Sequence, residues 1–222
     1  MSTLAFLGGT GDQGRGLARR LALAGHSVVL GSRSAERAEA AAASVRDSLP
    51  SGGSVVGPVS GLANADAAGQ GEVVVVAVPY DGHAALLRDV TGQLAGKIVV
   101  DCVNPLGFDE RGAFAIDVPE GSAAEQAAGI LPESTVVAAF HHVSAVLLLD
   151  PEVETLDTDV LVLGDVREAT DRVQELVGEI KGMRGVYAGR LRNARQVEAL
   201  TINLVSVNRR YKAHAGIRVT DV

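Results

Sequence analysis

The chain has 222 residues, 47% of them hydrophobic and 21% charged, which suits one compact domain with a small annex and excludes a disordered chain. Twenty Lys and Arg against 27 Asp and Glu leave a net charge of -7, which argues against a duplex nucleic-acid binder. A single cysteine, Cys102, excludes an internal disulfide, a CxxC redox pair and a cysteine-rich zinc site, and 3% aromatics with no tryptophan leave no base-stacking platform.

The longest apolar run, Val73 to Val78, is far short of the roughly 20 residues of a membrane span, and no basic leader follows Met1. A soluble cytoplasmic protein is therefore expected. Its core must be built from Val, Leu and Ala, which suits a buried parallel sheet flanked by Ala-rich helices.

In chain order, Leu4 to Leu7 reads as a short buried strand, followed by a glycine turn and a helical run marked by Leu17, Leu21 and Leu23. Ser27 to Leu30 is the next strand, and Ala35 to Ser48 is helical, which makes a βαβ unit. A Gly, Ser and Pro loop over Pro50 to Pro58 leads to a short helix at Ala63 to Ala68, a strand at Val73 to Val78 and a helix at His83 to Val90. Lys97 to Val103 is another strand, ended by Asn104-Pro105. Ser122 and Glu125 form a capping box opening a helix to about Leu131, and Val136 to Phe140 is a strand. Beyond Asp150-Pro151 come a strand at Asp159 to Leu163, an amphipathic helix at Arg167 to Ile180 and a long helix from Leu191 to about Tyr211. The expected class is α/β: a Rossmann-type doubly wound parallel sheet over residues 1–150, with a small C-terminal part, α+β or helical, over 151–222. Residues 181–218 hold nine basic side chains and one acid, Glu198.

The glycines of Gly9-x-Gly11-x-x-Gly14 lie between a strand and a helix, where they allow a tight turn and close approach of backbone N–H groups to a pyrophosphate. Thr10, Asp12 and Gln13 share that turn. At the end of the second strand there is no carboxylate to accept from a free ribose 2′-OH. Ser32, Arg33 and Arg37 stand there instead and suit a dianionic 2′-phosphate, so NADP is expected rather than NAD. Val78-Pro79-Tyr80 and Asn104-Pro105 fall at carboxyl ends of strands, which face the ligand crevice of such a sheet; small apolar groups there could wall in a nicotinamide, and the Asn104 amide could bond ribose or carboxamide. His141 and His142 follow a strand, but no third ligand stands at helical spacing, so no metal site is expected. Cys102, within a strand, reads as a small buried residue, and His26, His83 and His214 as structural or exposed.

Taken together, GGTGxxGxGLAxRLAxxGH (Gly8 to His26), GSRxxERAE (Gly31 to Glu39), VVVAVPY (Val74 to Tyr80), EGSAAE (Glu120 to Glu125), AAFHHVSA (Ala138 to Ala145) and GRLRNARQVEALT (Gly189 to Thr201) resemble the F420-dependent NADP oxidoreductase family. The resemblance implies an N-terminal domain that binds NADP(H) and a small C-terminal part that closes a cleft where coenzyme F420 stacks on the nicotinamide. It carries Gly9 to Gly14 to the pyrophosphate, Ser32, Arg33 and Arg37 to the 2′-phosphate, and Val78, Tyr80, Asn104 and Ala145 to the nicotinamide, with His141 and Val143 near the deazaflavin. The implied activity is reversible hydride transfer between C5 of F420 and C4 of NADP, chemistry that asks the protein for orientation more than for an acid or base. An NADPH-dependent flavin or ferric-chelate reductase and a non-catalytic NADP(H) sensor are the alternatives. Val197, Leu200, Leu204 and Val207 lie at helical spacing, so a homodimer through that face is expected, against packing of the face on its own domain. Small-molecule cofactors are the only other expected partners, with no membrane and no nucleic acid.

Overall fold

The computed structural model describes residues 1–50 and 56–222; residues 51–55 of the loop expected over Pro50 to Pro58 lie outside the described residues. Strict alternation organises the strands. Leu4 and Phe6 of β1 (Thr3–Leu7) enter one core while Ala5 and Leu7 enter the other. Val73 and Val75 of β4 (Val73–Val76) are likewise separated from Val74 and Val76. A strand buried on both faces has to be apolar at its buried positions, and Leu4 to Leu7 and Val73 to Val76 are.

The other strands are β2 (Ser27–Ser32), β3 (Val59–Ala63), β5 (Ile98–Asp101), β6 (Leu106–Asp109), β7 (Gly112–Ala115), β8 (Thr135–Ala138), β9 (Thr158–Gly164) and β10 (Met183–Gly189). Eight strands form one sheet in the order β10-β9-β8-β5-β4-β1-β2-β3, and β6 and β7 make a separate antiparallel hairpin. From β3 to β8 all pairs are parallel, as expected for a doubly wound sheet; β9 runs antiparallel to β8, and β10 parallel to β9. The boundary expected near residue 150 falls in the connection before β9, and the strands beyond it extend the same sheet.

One face carries α1 (Asp12–Leu23), α2 (Ala35–Asp47), the short α7 (Ala145–Leu149) and α8 (Arg167–Gly178). The other carries α3 (Asn64–Gln70), α4 (Tyr80–Asp89), α5 (Thr91–Leu94), α6 (Ala123–Ile130), a 3-10 turn at Leu191–Asn193 and α9 (Ala194–Tyr211). The helices face the sheet through small residues, Ala18, Ala42, Ala67, Ala124 and Ala127 among them, which brings backbone layers close together.

Five elements have no counterpart in the sequence reading: β3, α5, the β6–β7 hairpin, α7 and β10. Gly61 in β3, and Gly185 and Gly189 in β10, interrupt the apolar alternation that marks the interior strands. Both are edge strands, where one side of the ladder is unpaired and the demand for apolar residues is weaker. The single helix expected from Leu191 is a 3-10 turn followed by α9.

The segment after β8 is held by one buried cation. Arg20 of α1 donates to the carbonyls of Leu147 (2.6 Å), Leu148 (2.8 Å), Asp150 (3.0 Å) and Val153 (2.6 Å). Three of these are the orphan carbonyls at the C-terminal end of α7, where a positive charge is also favoured by the helix dipole. Arg20→Met is expected to lower unfolding free energy by about 3 kcal/mol, because buried acceptors lose their donors together. Urea denaturation at pH 7 checks this, and a loss under about 1 kcal/mol would show that water replaces the guanidinium.

Candidate active site

The crevice opens where the strand order reverses, between β1 and β4, at the carboxyl ends of the parallel strands. The turn after β1 is drawn tight by Gly9, whose N–H is shared between the carbonyls of Phe6 (3.1 Å) and Gly31 (2.9 Å), tying β1 to the end of β2. A Cβ on Gly14 would stand 2.7 Å from the Gly9 Cα, so turn and helix touch through bare backbone. Gly8, with φ of 67°, takes a conformation that L side chains avoid, and a Cβ there would run into the Val78 side chain.

Gly11 differs. A Cβ on it would meet nothing nearer than the Gly8 carbonyl oxygen at 3.9 Å. It is the N-cap of α1, and no side chain caps that helix. The protein itself therefore gives no steric reason for glycine here, while the N–H groups of the first turn of α1 have no intrahelical partners. A pyrophosphate fits this gap, bare backbone below and the positive end of a helix beside it. Asp12 is turned aside in an ion pair with Arg15 at 2.6 Å. Gln13 reaches across to donate to the Phe140 carbonyl (3.2 Å), pinning a turn in which Phe140 holds φ of 65°. Thr10 is half-buried on the same turn.

Ser32 ends β2 and is buried, while Arg33 and Arg37 are exposed beside it. Ser34 caps α2 by accepting from the Arg37 N–H, which sets that arginine on the first turn facing the crevice end of the sheet. Among the described residues neither guanidinium is engaged in an ion pair. Sequence reasoning missed Asn64, the first residue of α3, whose Oδ1 accepts from the Gly8 N–H at 3.2 Å. Its signal was hidden because β3, which delivers it, went unread.

On the other side of the switch point, Val78 is half-buried against Gly8, Pro79 is the exposed N-cap of α4, and the Tyr80 ring stacks on His83 at 6.3 Å between centroids. Asn104 lies close by, but its amide is already spent within the protein. Nδ2 donates to the His141 carbonyl (2.8 Å), and Oδ1 accepts from the Thr201 hydroxyl (3.3 Å), which also reaches the His141 carbonyl (3.0 Å). Asn104 thus braces the histidine turn against α9.

A small cleft of about 150 Å³ lies between that turn and α9, lined by His141, Val143 and Ser144 on one side and Thr201, Leu204 and Val205 on the other. Ala145 begins α7 at its margin. Both ring nitrogens of His141 are buried without a protein partner, and burial pushes the imidazole down to about 4. His142 is pushed down to about 4 by the same cause, and its Nε2 accepts from the Leu161 N–H. Both rings are neutral at pH 7. No cluster of three metal-ligating side chains occurs among the described residues.

Beneath the crevice lies a polar group that sequence reasoning did not find. His83, buried on α4, meets Asp101 Oδ2 at 2.6 Å through Nε2 and Gln126 Oε1 at 3.0 Å through Nδ1. Gln126 donates to Glu120, which orients its oxygen toward the ring, so Nδ1 is a donor. Burial works to lower the His83 pKa, but Asp101, by charge and by hydrogen bond, and Gln126 outweigh it and raise it overall. Cys102, next along, is buried as expected, donates to the Val76 carbonyl and has its thiol pKa pushed up, so it is no nucleophile at pH 7.

Comparison with known proteins matches this geometry to a family. The model of the NADP oxidoreductase, coenzyme F420-dependent family matches residues 3–105. The F420-dependent NADP reductase of Methanothermobacter marburgensis is 41% identical, over 99% of this chain and 98% of that one. This chain belongs to the F420-dependent NADP oxidoreductase family. A solved structure from Arthrobacter, assigned as an F420-dependent NADP reductase, superposes with a TM-score of 0.82 at 29% identity, covering 99% of this chain and 100% of that one. The rat metalloreductase STEAP3 is 34% identical over 89% of this chain but only 36% of its own length. The alignment with that relative covers α9 as well as the glycine turn, so membership does not rest on the fingerprint alone.

Two glycine substitutions separate fold from binding in this family member. Gly9→Ala is expected to lower both stability and dinucleotide affinity, because its Cβ would press on the Phe6 carbonyl and the Leu30 side chain. Gly11→Ala should leave thermal unfolding nearly unchanged yet weaken NADPH binding by more than about tenfold. Differential scanning fluorimetry with and without NADPH reads both effects; equal behaviour of the two variants would refute the reserved space above Gly11.

Proposed function

We propose that this enzyme transfers hydride reversibly between coenzyme F420 and NADP, with the NADP half held by residues 1–150 and the cleft closed by residues 151–222. The observation that carries the reading is the extent of the likeness to F420-dependent reductases, which spans both the dinucleotide turn and the α9 side of the cleft. When bound face to face, the two cofactors supply all the redox chemistry, C5–H of the reduced deazaflavin breaking as C4–H of the nicotinamide forms, with one proton released to solvent.

The chain's own work is to bind, orient and exclude water. In this reading Gly9 to Gly14 hold the pyrophosphate, and Ser32, Arg33 and Arg37 grip the 2′-phosphate. Val78, Pro79, Tyr80 and Ala145 wall the nicotinamide, with Asn104 beside it. His141 and Val143 face the deazaflavin. A neutral His141 adds no charge to a site where a hydride, formally anionic, moves between rings. No residue is asked to act as acid or base.

Arg33 and Arg37, which have no ion-pair partner among the described residues, stand beside a buried serine and favour the phosphorylated dinucleotide. In the Arg33→Ala/Arg37→Ala double variant the NADPH KM is expected to rise by about 30-fold or more while the NADH KM hardly changes. Steady-state kinetics with both dinucleotides tests it; an equal change for the two would remove the 2′-phosphate assignment. Acceptor choice is tested by NADPH oxidation with F420, flavin and ferric chelates. The likeness to a metalloreductase makes the last two the competing reading, and reduction of flavin or ferric chelate but not F420 would replace ours.

The later half of α9 supports a homodimer. Val197 is spent on the core of its own domain, whereas Leu200 and Leu204 are half-buried and Val207 is exposed. A dimer at micromolar concentration by light scattering is the expected outcome, and a monomer would exclude this contact. No helix among the described residues is long and apolar enough to cross a membrane, which is compatible with the cytoplasmic setting proposed for the enzyme.

A further inference from the structure

The inner half of α9 is fixed to the sheet. Ala194 and Val197 enter the core, Glu198 accepts from the N–H groups of Ala123 (3.0 Å) and Ala124 (3.1 Å), and Thr201 reaches Asn104 and the His141 carbonyl. The outer half of the helix instead flanks the β6–β7 hairpin, and a groove of about 590 Å³ runs between them. Phe108 and Arg111 stand on the hairpin side of it, Val205, Arg209 and Arg210 on the helix side.

Three guanidinium groups from two separate elements thus line one groove, and among the described residues its lining includes no carboxylate. Arg209 and Arg210 have no ion-pair partner among the described residues. Arg111 lies 3.9 Å from Asp109, whose Oδ1 is already taken at the hairpin turn by the N–H groups of Arg111 and Gly112. Cations in the last turn of a helix are favoured by its dipole, which accounts for Arg209 and Arg210 but not for Arg111 across the groove. Phe108 leaves an apolar ring 70% exposed at the same place.

Val205 lines both this groove and the cleft beside His141 and Val143, so the two are joined over a single side chain. The cleft, about 150 Å³, is smaller than the roughly 300–1,000 Å³ usual for ligand pockets, whereas the groove falls within that range. A ligand with one end in the cleft has the rest of its length outside, and the path over Val205 leads to the guanidinium groups.

We infer that the groove is a subsite for the anionic side chain of the hydride acceptor, with Arg111, Arg209 and Arg210 meeting phosphate and carboxylate oxygens. In F420 that side chain is a phosphodiester followed by glutamates. The inference deepens the reading of the cleft as the deazaflavin site and rests on it. Nine residues at roughly 3.6 per turn make two and a half turns, so Arg209 lies opposite Leu200 on α9 and the dimer face proposed above stays free.

The experiment compares F420 with the deazaflavin alcohol that lacks its phosphate and glutamates, in wild type and in Arg209→Gln/Arg210→Gln. In wild type the alcohol is expected to show a KM about tenfold above that of F420, a gap that narrows as salt screens the exposed charges. In the double variant the F420 KM should rise about tenfold, while the KM values for the alcohol and for NADPH stay unchanged. Arg111→Gln, on the other element, should shift F420 alone in the same direction by a smaller factor. Equal KM values for the two deazaflavins in wild type, or a parallel rise for both in the variants, overturns the subsite and leaves hydride transfer to F420 standing. If NADPH reduces neither deazaflavin, the acceptor reading fails. Binding of FMN against riboflavin to the NADP-loaded proteins, read by flavin fluorescence, then decides the groove: a preference for FMN that the arginine variants abolish retains it, and no such preference removes it.

Discussion

Everything at the crevice depends on one close approach of bare backbone. The turn after β1 must pass under the end of β4 and against the start of α1, and at Gly8, Gly9 and Gly14 the available space admits hydrogen but not carbon. This brings strand, turn and helix within van der Waals contact, so the first N–H groups of α1 are delivered at the switch point of the sheet rather than beyond it. Gly11 is the informative exception. The protein leaves it room for a methyl group and does not use that room, which is how a binding surface differs from a packing surface.

The same constraint explains what could be read from the amino-acid sequence. Interior strands buried on both faces need unbroken apolar runs, so β1, β4, β5 and β8 were legible, and so was the glycine turn between β1 and α1. The edge strands β3 and β10 were not, because glycines occupy positions where an apolar residue would have marked the period. Missing β3 also hid Asn64, which needs the strand before it to be recognised as a brace for the turn. The hairpin β6–β7, with Phe108 and Phe114 exposed, lacks the one-sided burial that makes a strand visible.

The polar network under the crevice was illegible for a different reason. His83, Asp101, Gln126 and Glu198 stand at no informative spacing, and only the meeting of α4, β5, α6 and α9 assembles them. Asn104 shows the converse error. It follows β5 as the sequence reading placed it, but its amide is engaged by the histidine turn and by Thr201. This side chain joins the histidine turn to α9 rather than presenting a free group.

These two features together describe how a protein without an acid–base pair can still do demanding chemistry. Ring-to-ring hydride transfer is sensitive to distance and angle, and the corresponding requirement on the chain is a rigid pair of walls. On the dinucleotide side the turn is closely packed, since a Cβ on Gly8 would run into the Val78 side chain. α9 is attached differently, by Ala194 and Val197 in the core and by the side-chain contacts of Thr201 and Glu198. Water can replace the partners of such polar contacts, at a net cost of about 1 kcal/mol per hydrogen bond. The contrast follows from where this chain places its glycines, at the turn after β1, and where it places its buried polar side chains, under α9.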